Sequence, residues 1–206
     1  MTPDPVTPDA AALRVHRDDG PLARALGVLA RGGLPPVPGA AGAAASTGIL
    51  LAAGDHGYPV PALFAPVIAV LLVGPAAAHP HTGRLDWTAP PMIRGIEYGY
   101  LTVLGFAHAV AAPLVFALVA LLALHHHDTV HRTRRGPRRQ RLLLAGLGWE
   151  GRMLIVACGG LSGSLPFAYA ALAAYLGVLF GGEGVAAWAR AGLGERVQVD
   201  LEEEEA

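Results

Sequence analysis

Three long apolar stretches constrain the fold of this chain more than any other feature of its sequence. They cover residues 60–78, 95–124 and 153–181. Because about 20 apolar residues in a helix span a bilayer, the last two stretches are each long enough for two crossings. Pro113 and the turn at 163–166 mark the places where the chain would fold back. With 53% hydrophobic residues and a mean hydropathy of +0.44, the chain is too apolar for an ordinary soluble protein.

We therefore predict an all-α fold, a polytopic membrane helix bundle of about six transmembrane helices. A further stretch at 37–54 is rich in small residues, which is typical of a helix packed inside a bundle. A four-helix arrangement, with the first two apolar stretches rearranged or re-entrant, stays open. The six predicted helices cover residues 39–54, 60–78, 92–108, 111–125, 142–161 and 165–181.

The distribution of charge favours an even number of crossings. All 15 basic residues are arginine, and the joints near 55–59, 109–110 and 162–164 contain none. Cytoplasmic loops of membrane proteins carry an excess of basic residues, so the arginine-free joints are predicted to lie outside the cell. Both termini are then cytoplasmic. We expect a multi-pass protein of the plasma membrane.

This topology divides the chain into three segments. Residues 1–38 are predicted to form a cytoplasmic N-terminal segment with a short amphipathic helix, residues 39–182 the transmembrane domain, and residues 183–206 a cytoplasmic acidic tail. In the short helix, leucines occupy one side and arginines the other, so it is predicted to lie on the inner leaflet. The side chains concerned are Leu22, Leu26 and Leu29, and Arg24 and Arg31.

Ionisable residues inside the predicted helices are the clearest candidates for a site, because a charge in a bilayer needs a partner. Arg94 and Glu97 are three residues apart and can pair on one helix face. Glu150 and Arg152 form a second charged pair, predicted to lie at a similar depth. The same four residues could instead pair between helices, Arg94 with Glu150 and Glu97 with Arg152.

The joint before the first pair adds an arginine and an aspartate at the same predicted end of the bundle. We predict one polar cluster there, which either fixes helix packing or holds a lipid headgroup or phosphorylated substrate. The candidate residues are Arg84, Asp86, Arg94, Glu97, Glu150 and Arg152.

A second candidate surface is the arginine-rich loop that follows the histidines at 125–127. It is predicted to contact anionic lipid headgroups. It lacks interleaved aromatic residues, so nucleic acid is not predicted as a partner. No metal site is predicted: the histidine spacings near 125–131 are a weak signal, and the single cysteine, Cys158, excludes a cysteine-based zinc site. The arginines are Arg132, Arg134, Arg135, Arg138, Arg139 and Arg141.

The stretch RDDGPLARALGVLARGG at 17–33 resembles the middle of the metal-binding signature of CDP-alcohol phosphatidyltransferases. That signature needs four acidic residues, which hold two divalent cations against a pyrophosphate. Of these four positions in this chain, only one is acidic, Asp19, and the other three fall on His16, Val37 and Ala41. Pro21 would also interrupt the helix that carries the motif. We therefore predict the start of a membrane-surface helix rather than a two-metal site.

Several blocks of the sequence resemble an actinobacterial integral-membrane domain of unknown function. They include RDDGPLARALG, AHPHTGRLDW, PPMIRGIEYGYL, LAGLGWEGRML and AYLGVLF, and together they extend over most of residues 12–190. In larger chains that domain is found C-terminal to nucleotidyltransferase and CDP-alcohol phosphatidyltransferase domains. The resemblance implies a multi-span membrane fold and an association with phospholipid or envelope-lipid synthesis. It implies no catalytic residues.

Three functions stay open on this evidence. We expect an accessory or headgroup-binding protein of lipid metabolism with no cofactor, whose partners are membrane lipids and a CDP-alcohol phosphatidyltransferase acting in trans. The alternative is a divergent transferase that acts on CDP-activated lipid with Mg²⁺ or Mn²⁺. A small transporter is a second alternative, supported by the polar helix face that runs through Glu97 and His108.

Overall fold

The computed structural model of the chain describes residues 13, 16–55, 59–132 and 145–182. These residues form an all-α structure without strands, which confirms the predicted class. Two short 3₁₀ turns, Gly74–Ala76 and Asp86–Thr88, lie between the third and fourth helices. The helices are α1 Pro21–Leu29, α2 Pro36–Asp55, α3 Pro59–Val73, α4 Ala89–Ala107, α5 Ala112–Arg132, α6 Gly148–Leu161 and α7 Leu165–Gly182.

Prolines and left-handed residues set the helix boundaries. Three helices, α1, α2 and α3, begin on a proline, whose missing N–H costs nothing in the first helical turn. Gly163, with φ of 70°, reverses the chain between α6 and α7 at the predicted fold-back. The predicted fold-back at Pro113 lies slightly earlier than expected, because Ala109 makes the turn with φ of 54° and Pro113 belongs to the first turn of α5.

The helices α2 and α3 pack as an antiparallel pair. In the α2–α3 pair, a Cβ added to Gly39 would lie only 2.3 Å from the carbonyl oxygen of Leu72, while Gly54 lies against Ala62 at the other end of the pair. Small residues therefore let the two backbones approach closely. We call the end where α2, α4 and α6 begin and α3, α5 and α7 end the charged end, and the other the opposite end.

The core between the helices is apolar and closely packed. Its fully buried side chains include Leu101, Leu118, Leu122 and Met153. The hydroxyl of buried Tyr169 donates a hydrogen bond of 2.5 Å to the carbonyl of Leu101, which ties α7 to α4. All seven helices, α1 to α7, contribute to this core, so they form one packed unit.

Two helical stretches, Pro36–Gly54 and Leu165–Gly182, are long and apolar enough to cross a membrane. Val60–Ala76 and Ala112–His127 are apolar but shorter. These lengths indicate two candidate crossings among the described residues. The predicted layout of four to six crossings, with cytoplasmic termini, stays a prediction.

Three predicted helix boundaries need correction. The helix predicted at 111–125 continues to Arg132, because no proline or left-handed residue interrupts it after its first turn. The helix predicted at 60–78 ends at Val73, where the chain turns into the 3₁₀ segment. Of the helix predicted at 142–161, residues 142–144 lie outside the described residues, and α6 begins at Gly148, after Leu147 has taken a left-handed conformation with φ of 67°. The reason is tertiary: a Cβ added to Gly148 would lie 2.3 Å from the backbone nitrogen of Gly20, so the N-terminal segment packs directly on this turn.

Candidate functional site

A buried network of charged side chains occupies the charged end of the bundle. It joins the segment before α1 to α4, α5 and α6. Its members are buried although they are ionisable, which requires that each is paired or hydrogen-bonded. We call this set the charged network: Arg17, Asp18, Asp19, Glu97, His126, Glu150 and Arg152.

Arg152 is the centre of the network. Its Nε lies 2.5 Å from Oε1 of Glu97, and its Nη2 lies 3.2 Å from Oε2, a two-point contact between α6 and α4. The same Nη2 lies 2.6 Å from Oδ2 of Asp18, and Nη1 donates to the carbonyl of Gly146 at 2.8 Å. Arg152 and Glu97 are both fully buried. One guanidinium therefore holds carboxylates from two different parts of the chain.

Asp18 extends the network to α5. His126 Nε2 lies 3.3 Å from Oδ2 of Asp18, and His126 Nδ1 lies 2.6 Å from the hydroxyl of Tyr98 on α4. Burial alone would raise the pKa of Asp18. The charge of Arg152 and the hydrogen bond from His126 outweigh burial and hold that pKa well below its ordinary value. Asp18 is therefore an ionised carboxylate inside the bundle. Its backbone is left-handed, with φ of 54°.

Arg17 and Asp19 form a second buried pair two residues apart. Arg17 Nε lies 2.7 Å from Oδ2 of Asp19, and Arg17 Nη2 donates to the carbonyl of Val73 at the end of α3. The indole N–H of Trp149 donates to Oδ1 of Asp19 at 3.0 Å. Asp19, which occupies the one signature position that is acidic in this chain, is thus bound by protein donors.

Glu150 caps α1 from another helix. Its two oxygens accept hydrogen bonds from the backbone N–H groups of Gly20 at 2.9 Å and Ala23 at 3.1 Å. These groups lie at the start of α1, where an isolated helix leaves N–H groups without partners. The cap residue, Gly20, has no side chain for this purpose. The predicted helix start at Asp19 to Pro21 is confirmed, with the capping carboxylate supplied by α6.

The structure brings together only part of the predicted polar cluster. Of the two pairings considered, Glu97 with Arg152 forms, whereas Arg94 reaches neither glutamate and donates to the carbonyl of His16 at 3.2 Å. Arg94 points away from Glu97 because Arg152 already occupies both oxygens of that carboxylate. Arg84 is exposed on the loop. The structure therefore does not bring the six predicted residues together in a single cluster.

Asp86 belongs to a smaller polar group in the loop between α3 and α4. Its Oδ2 accepts a hydrogen bond from the N–H of Gly83 at 2.8 Å and lies 3.6 Å from Nε2 of His79. His81 is buried with φ of 58°, and its Nδ1 contacts the carbonyl of His79. Burial and then the charge of Arg17 lower the pKa of His81, against the opposing effects of the His79 hydrogen bond and Asp86.

Sequence reasoning missed Arg17, Asp18, Asp19 and His126 as members of the network. For His126 a signal exists: it follows the buried residues Leu118 and Leu122 at intervals of four on α5, so it continues their buried face. For Arg17, Asp18 and Asp19 no comparable signal exists, because they precede the first helix and follow no apolar periodicity.

Other predicted features take their places as follows. Arg132 is the last residue of α5, and the remaining arginines of the predicted lipid-contacting loop lie outside the described residues. The helix face from Glu97 to His108 passes through fully buried Leu101 and Leu104, so the described structure shows no continuous polar path there. In the described ranges, no group of three or more His, Cys, Asp or Glu side chains could hold a metal ion.

The side chains of the charged network bind one another and the backbone rather than lining an open cavity. Glu97, Glu150 and Asp19 each have both oxygens occupied by protein donors. Within the described part of the chain, the polar atoms of the network left without a hydrogen-bond partner are Arg17 Nη1 and Asp18 Oδ1. What the network does chemically is to fix the N-terminal segment against three helices.

Comparison with known proteins gives a family but no activity. Searches of curated proteins and of solved structures returned no match. The model of a family of unknown function, DUF5941, matches residues 8–205, which is nearly the whole chain. This agrees with the expected resemblance to a domain of unknown function. The chain belongs to the DUF5941 family.

Proposed function

We propose that this chain is a multi-pass protein of the plasma membrane that holds anionic lipid headgroups at its charged end. In this proposal it is an accessory protein of phospholipid or envelope-lipid metabolism rather than an enzyme. The observation that carries the proposal is the inverted placement of its side chains. Arg17 and Arg152 are among the most deeply buried large residues, while Phe167 and Val178 are 74% and 78% exposed.

Large apolar side chains are exposed on each of the helices α2 to α7. A soluble monomer rarely exposes contiguous apolar surface on this scale, because its contact with water is unfavourable. Hydrocarbon tails of lipids would cover the same surface without cost. The exposed residues include Ile49, Val60, Phe64, Leu71, Val103, Phe106, Phe116, Leu124, Ile155, Leu161, Phe167 and Val178.

Features at the charged end support an interface with a charged leaflet. Helix α1 exposes Leu22 and Leu29, and Trp87 is exposed beside the loop that leads into α4. Tryptophan and short amphipathic helices are common at the headgroup level of a membrane. Arg31 and Arg84 are exposed at this end and free to reach phosphate groups. In the predicted topology this is the cytoplasmic side.

The network supports an accessory role. A two-metal transferase needs several carboxylates free to bind cations. Three of the buried carboxylates here are instead occupied by protein donors, as described above. We propose that catalysis belongs to a partner in trans, a CDP-alcohol phosphatidyltransferase, and that no cofactor is bound by this chain.

The test is lipid retention by the detergent-extracted protein, measured by native mass spectrometry. We expect phosphatidylglycerol or another anionic phospholipid to remain bound. The variant Arg31→Gln combined with Arg84→Gln should retain about tenfold less. The matched control is His108→Gln at the opposite end, which should retain as much lipid as the unaltered protein.

Two outcomes would overturn the proposal. Equal retention of neutral and anionic lipids by all variants would remove the headgroup-binding role. Turnover of a CDP-activated lipid by the purified protein with Mg²⁺ or Mn²⁺, abolished by Asp86→Asn or Glu97→Gln, would replace the accessory role with the transferase.

A further inference from the structure

A cavity of about 280 Å³ lies at the opposite end of the bundle, between α2, α3 and α4. Its walls include Leu51 and Gly54 near the end of α2, Ala62 near the start of α3, and Val103 and Ala107 in the last turns of α4. Three of these residues have no side chain larger than a methyl group, so they cannot fill the space between the helices. The fold therefore contains a preformed apolar space where these helices begin or end.

The cavity opens toward the surface that the proposed function assigns to lipid. Its wall residues Val103 and Ala107 are exposed, and Val103 exposes 45% of its surface. Leu51 and Val103 each lie four residues from the end of their helix, which is about 6 Å along the axis. In a bilayer this depth corresponds to the boundary between headgroups and hydrocarbon. An amphiphile can therefore enter the cavity from the membrane, on the outer side in the predicted topology.

One imidazole supplies a polar group to the cavity. His108 follows the last residue of α4, lines the cavity and is partly buried. Its Nδ1 lies 3.1 Å from the carbonyl oxygen of Leu104, and a carbonyl can only accept a hydrogen bond. Nδ1 must therefore carry the hydrogen, and Nε2 of the neutral ring is an acceptor. No other hydrogen bond of this side chain occurs among the described residues. The cavity thus offers one acceptor to a ligand that brings a donor.

The electrostatics of the cavity favour an uncharged ligand. Its lining contains neither an arginine nor an acidic residue. Both α2 and α4 end here, and the C-terminus of a helix carries a partial negative charge, which disfavours a phosphate or a carboxylate. An ammonium group would be costly in an apolar space that offers it no carboxylate partner. A hydroxyl group donates to the imidazole without bringing a charge.

We propose that this cavity binds the hydroxyl end of an uncharged lipid alcohol. The O–H donates to Nε2 of His108, and the first part of the chain packs against Leu51 and Val103. Because an apolar cavity of about 150 Å³ holds benzene, this one holds about ten non-hydrogen atoms, and the rest of the chain lies in the bilayer. The inference rests on the membrane location in the proposed function. It adds a second ligand class at the end remote from the anionic headgroups.

The experiment uses the full chain in nanodiscs of phosphatidylcholine at about pH 8, where an ordinary imidazole is neutral. The probe is dodecanol with a photoreactive diazirine in the middle of its chain. The comparison probe is its methyl ether, which keeps the oxygen but loses the donor. After illumination, mass spectrometry maps the labelled residues. We expect the alcohol to label the segments around Leu51 and Val103 about fivefold more than the ether does, which is the effect of one neutral hydrogen bond.

Four variants assign the effect to the cavity. His108→Leu removes the acceptor and should make labelling by the two probes equal, whereas His108→Gln keeps an acceptor oxygen and should keep the preference for the alcohol. Ala107→Leu places a larger side chain in the cavity from an exposed position, so it should abolish labelling there by both probes. The matched control is Ala117→Leu, the same change at an exposed alanine of α5 outside the lining, which should alter neither probe.

Two results on the unaltered chain would overturn the proposal. Equal labelling of the cavity by the alcohol and the ether would show that it holds hydrocarbon without recognising a hydroxyl. Labelling spread evenly over the exposed faces of all the helices would show contact with bulk lipid only. Retention of phosphatidylglycerol is measured separately on the same protein. If that lipid is retained while the alcohol shows no preference, the proposed function stands and only this site is lost; the reverse result removes the headgroup role and keeps this site.

Discussion

The charged end and the opposite end of this bundle are held together in different ways. At the charged end, side chains from the N-terminal segment, α4, α5 and α6 meet in ion pairs, with Arg152 in contact with Glu97 and Asp18. At the opposite end, small residues bring helices into direct contact, as where a Cβ on Gly159 would lie 2.4 Å from Ala168. Among the described residues, ion pairs thus join segments at the charged end only, whereas close packing of small residues occurs at both ends, as at Gly39 beside Leu72.

The largest expected effect comes from breaking the charged end at its centre. Arg152→Met would leave the buried carboxylates Glu97 and Asp18 without their cation, and such a loss costs about 3–5 kcal/mol. We expect the detergent-purified variant to aggregate or to lose its monodisperse peak far below the unfolding temperature of the unaltered protein. Glu97→Gln is the milder comparison, because Arg152 keeps Asp18. An Arg152→Met protein as stable as the unaltered chain would refute the role of the network.

The matching change at the opposite end is Gly159→Ala. The added methyl group would meet Ala168, so α6 and α7 must move apart, at a cost of about 1–3 kcal/mol. Gly99→Ala on α4 is the control, because nothing lies within 4 Å of its added Cβ, and helix propensity predicts no loss or a small gain. Thermal unfolding in detergent measures both. Equal losses for the two variants would show that the close contact between α6 and α7 does not contribute to stability.

A smaller, local effect is expected for Glu150→Gln. The amide keeps one acceptor oxygen, so one of the two N–H groups at the start of α1 loses its partner, at a cost of about 1 kcal/mol. Hydrogen exchange should become about fivefold faster in the first turn of α1 and stay unchanged in α4. Uniformly faster exchange throughout the bundle would mean that Glu150 supports the whole fold rather than α1.

The smallest effect is the dependence of stability on pH. His81 and Asp18 both have lowered pKa values in the folded protein, so each favours folding above its ordinary pKa and loses that contribution as the pH falls. Stability should therefore decline below about pH 6.5 through His81 and again below about pH 4 through Asp18. Between about pH 6.5 and about pH 4, His81→Asn should flatten the decline of stability with falling pH. A protein that becomes more stable on acidification through this range would contradict the sign.

Much of the fold can be read from the sequence, because its signals are local. Pro21, Pro36 and Gly163 mark helix boundaries through their own backbone preferences. The contact between Glu97 and Arg152 is also predictable, because two opposite charges in neighbouring apolar helices need each other.

What escapes prediction depends on tertiary contacts. Asp18 pairs with Arg152 across 134 positions of sequence, and Leu147 turns left-handed because Gly20 packs against the next residue. Neither event leaves a local pattern. Arg94 and Glu97 illustrate the same limit, because their spacing allows a pair that a better-placed arginine on α6 takes instead.

The most direct test of the central claim asks whether the exposed apolar faces meet lipid or water. Because Cys158 is the only cysteine in the sequence, Cys158→Ser gives a background without thiols. One new cysteine is then introduced at a time: Val67→Cys on α3, Thr82→Cys at the charged end or Ser162→Cys at the opposite end. Sealed vesicles of known orientation are then treated with a membrane-impermeant thiol reagent. We expect labelling of the Thr82 position from the cytoplasmic face only, of the Ser162 position from the outer face only, and of the Val67 position only after denaturation. Rapid labelling of the Val67 position in intact vesicles would show that this face meets water and would refute the membrane location of the bundle.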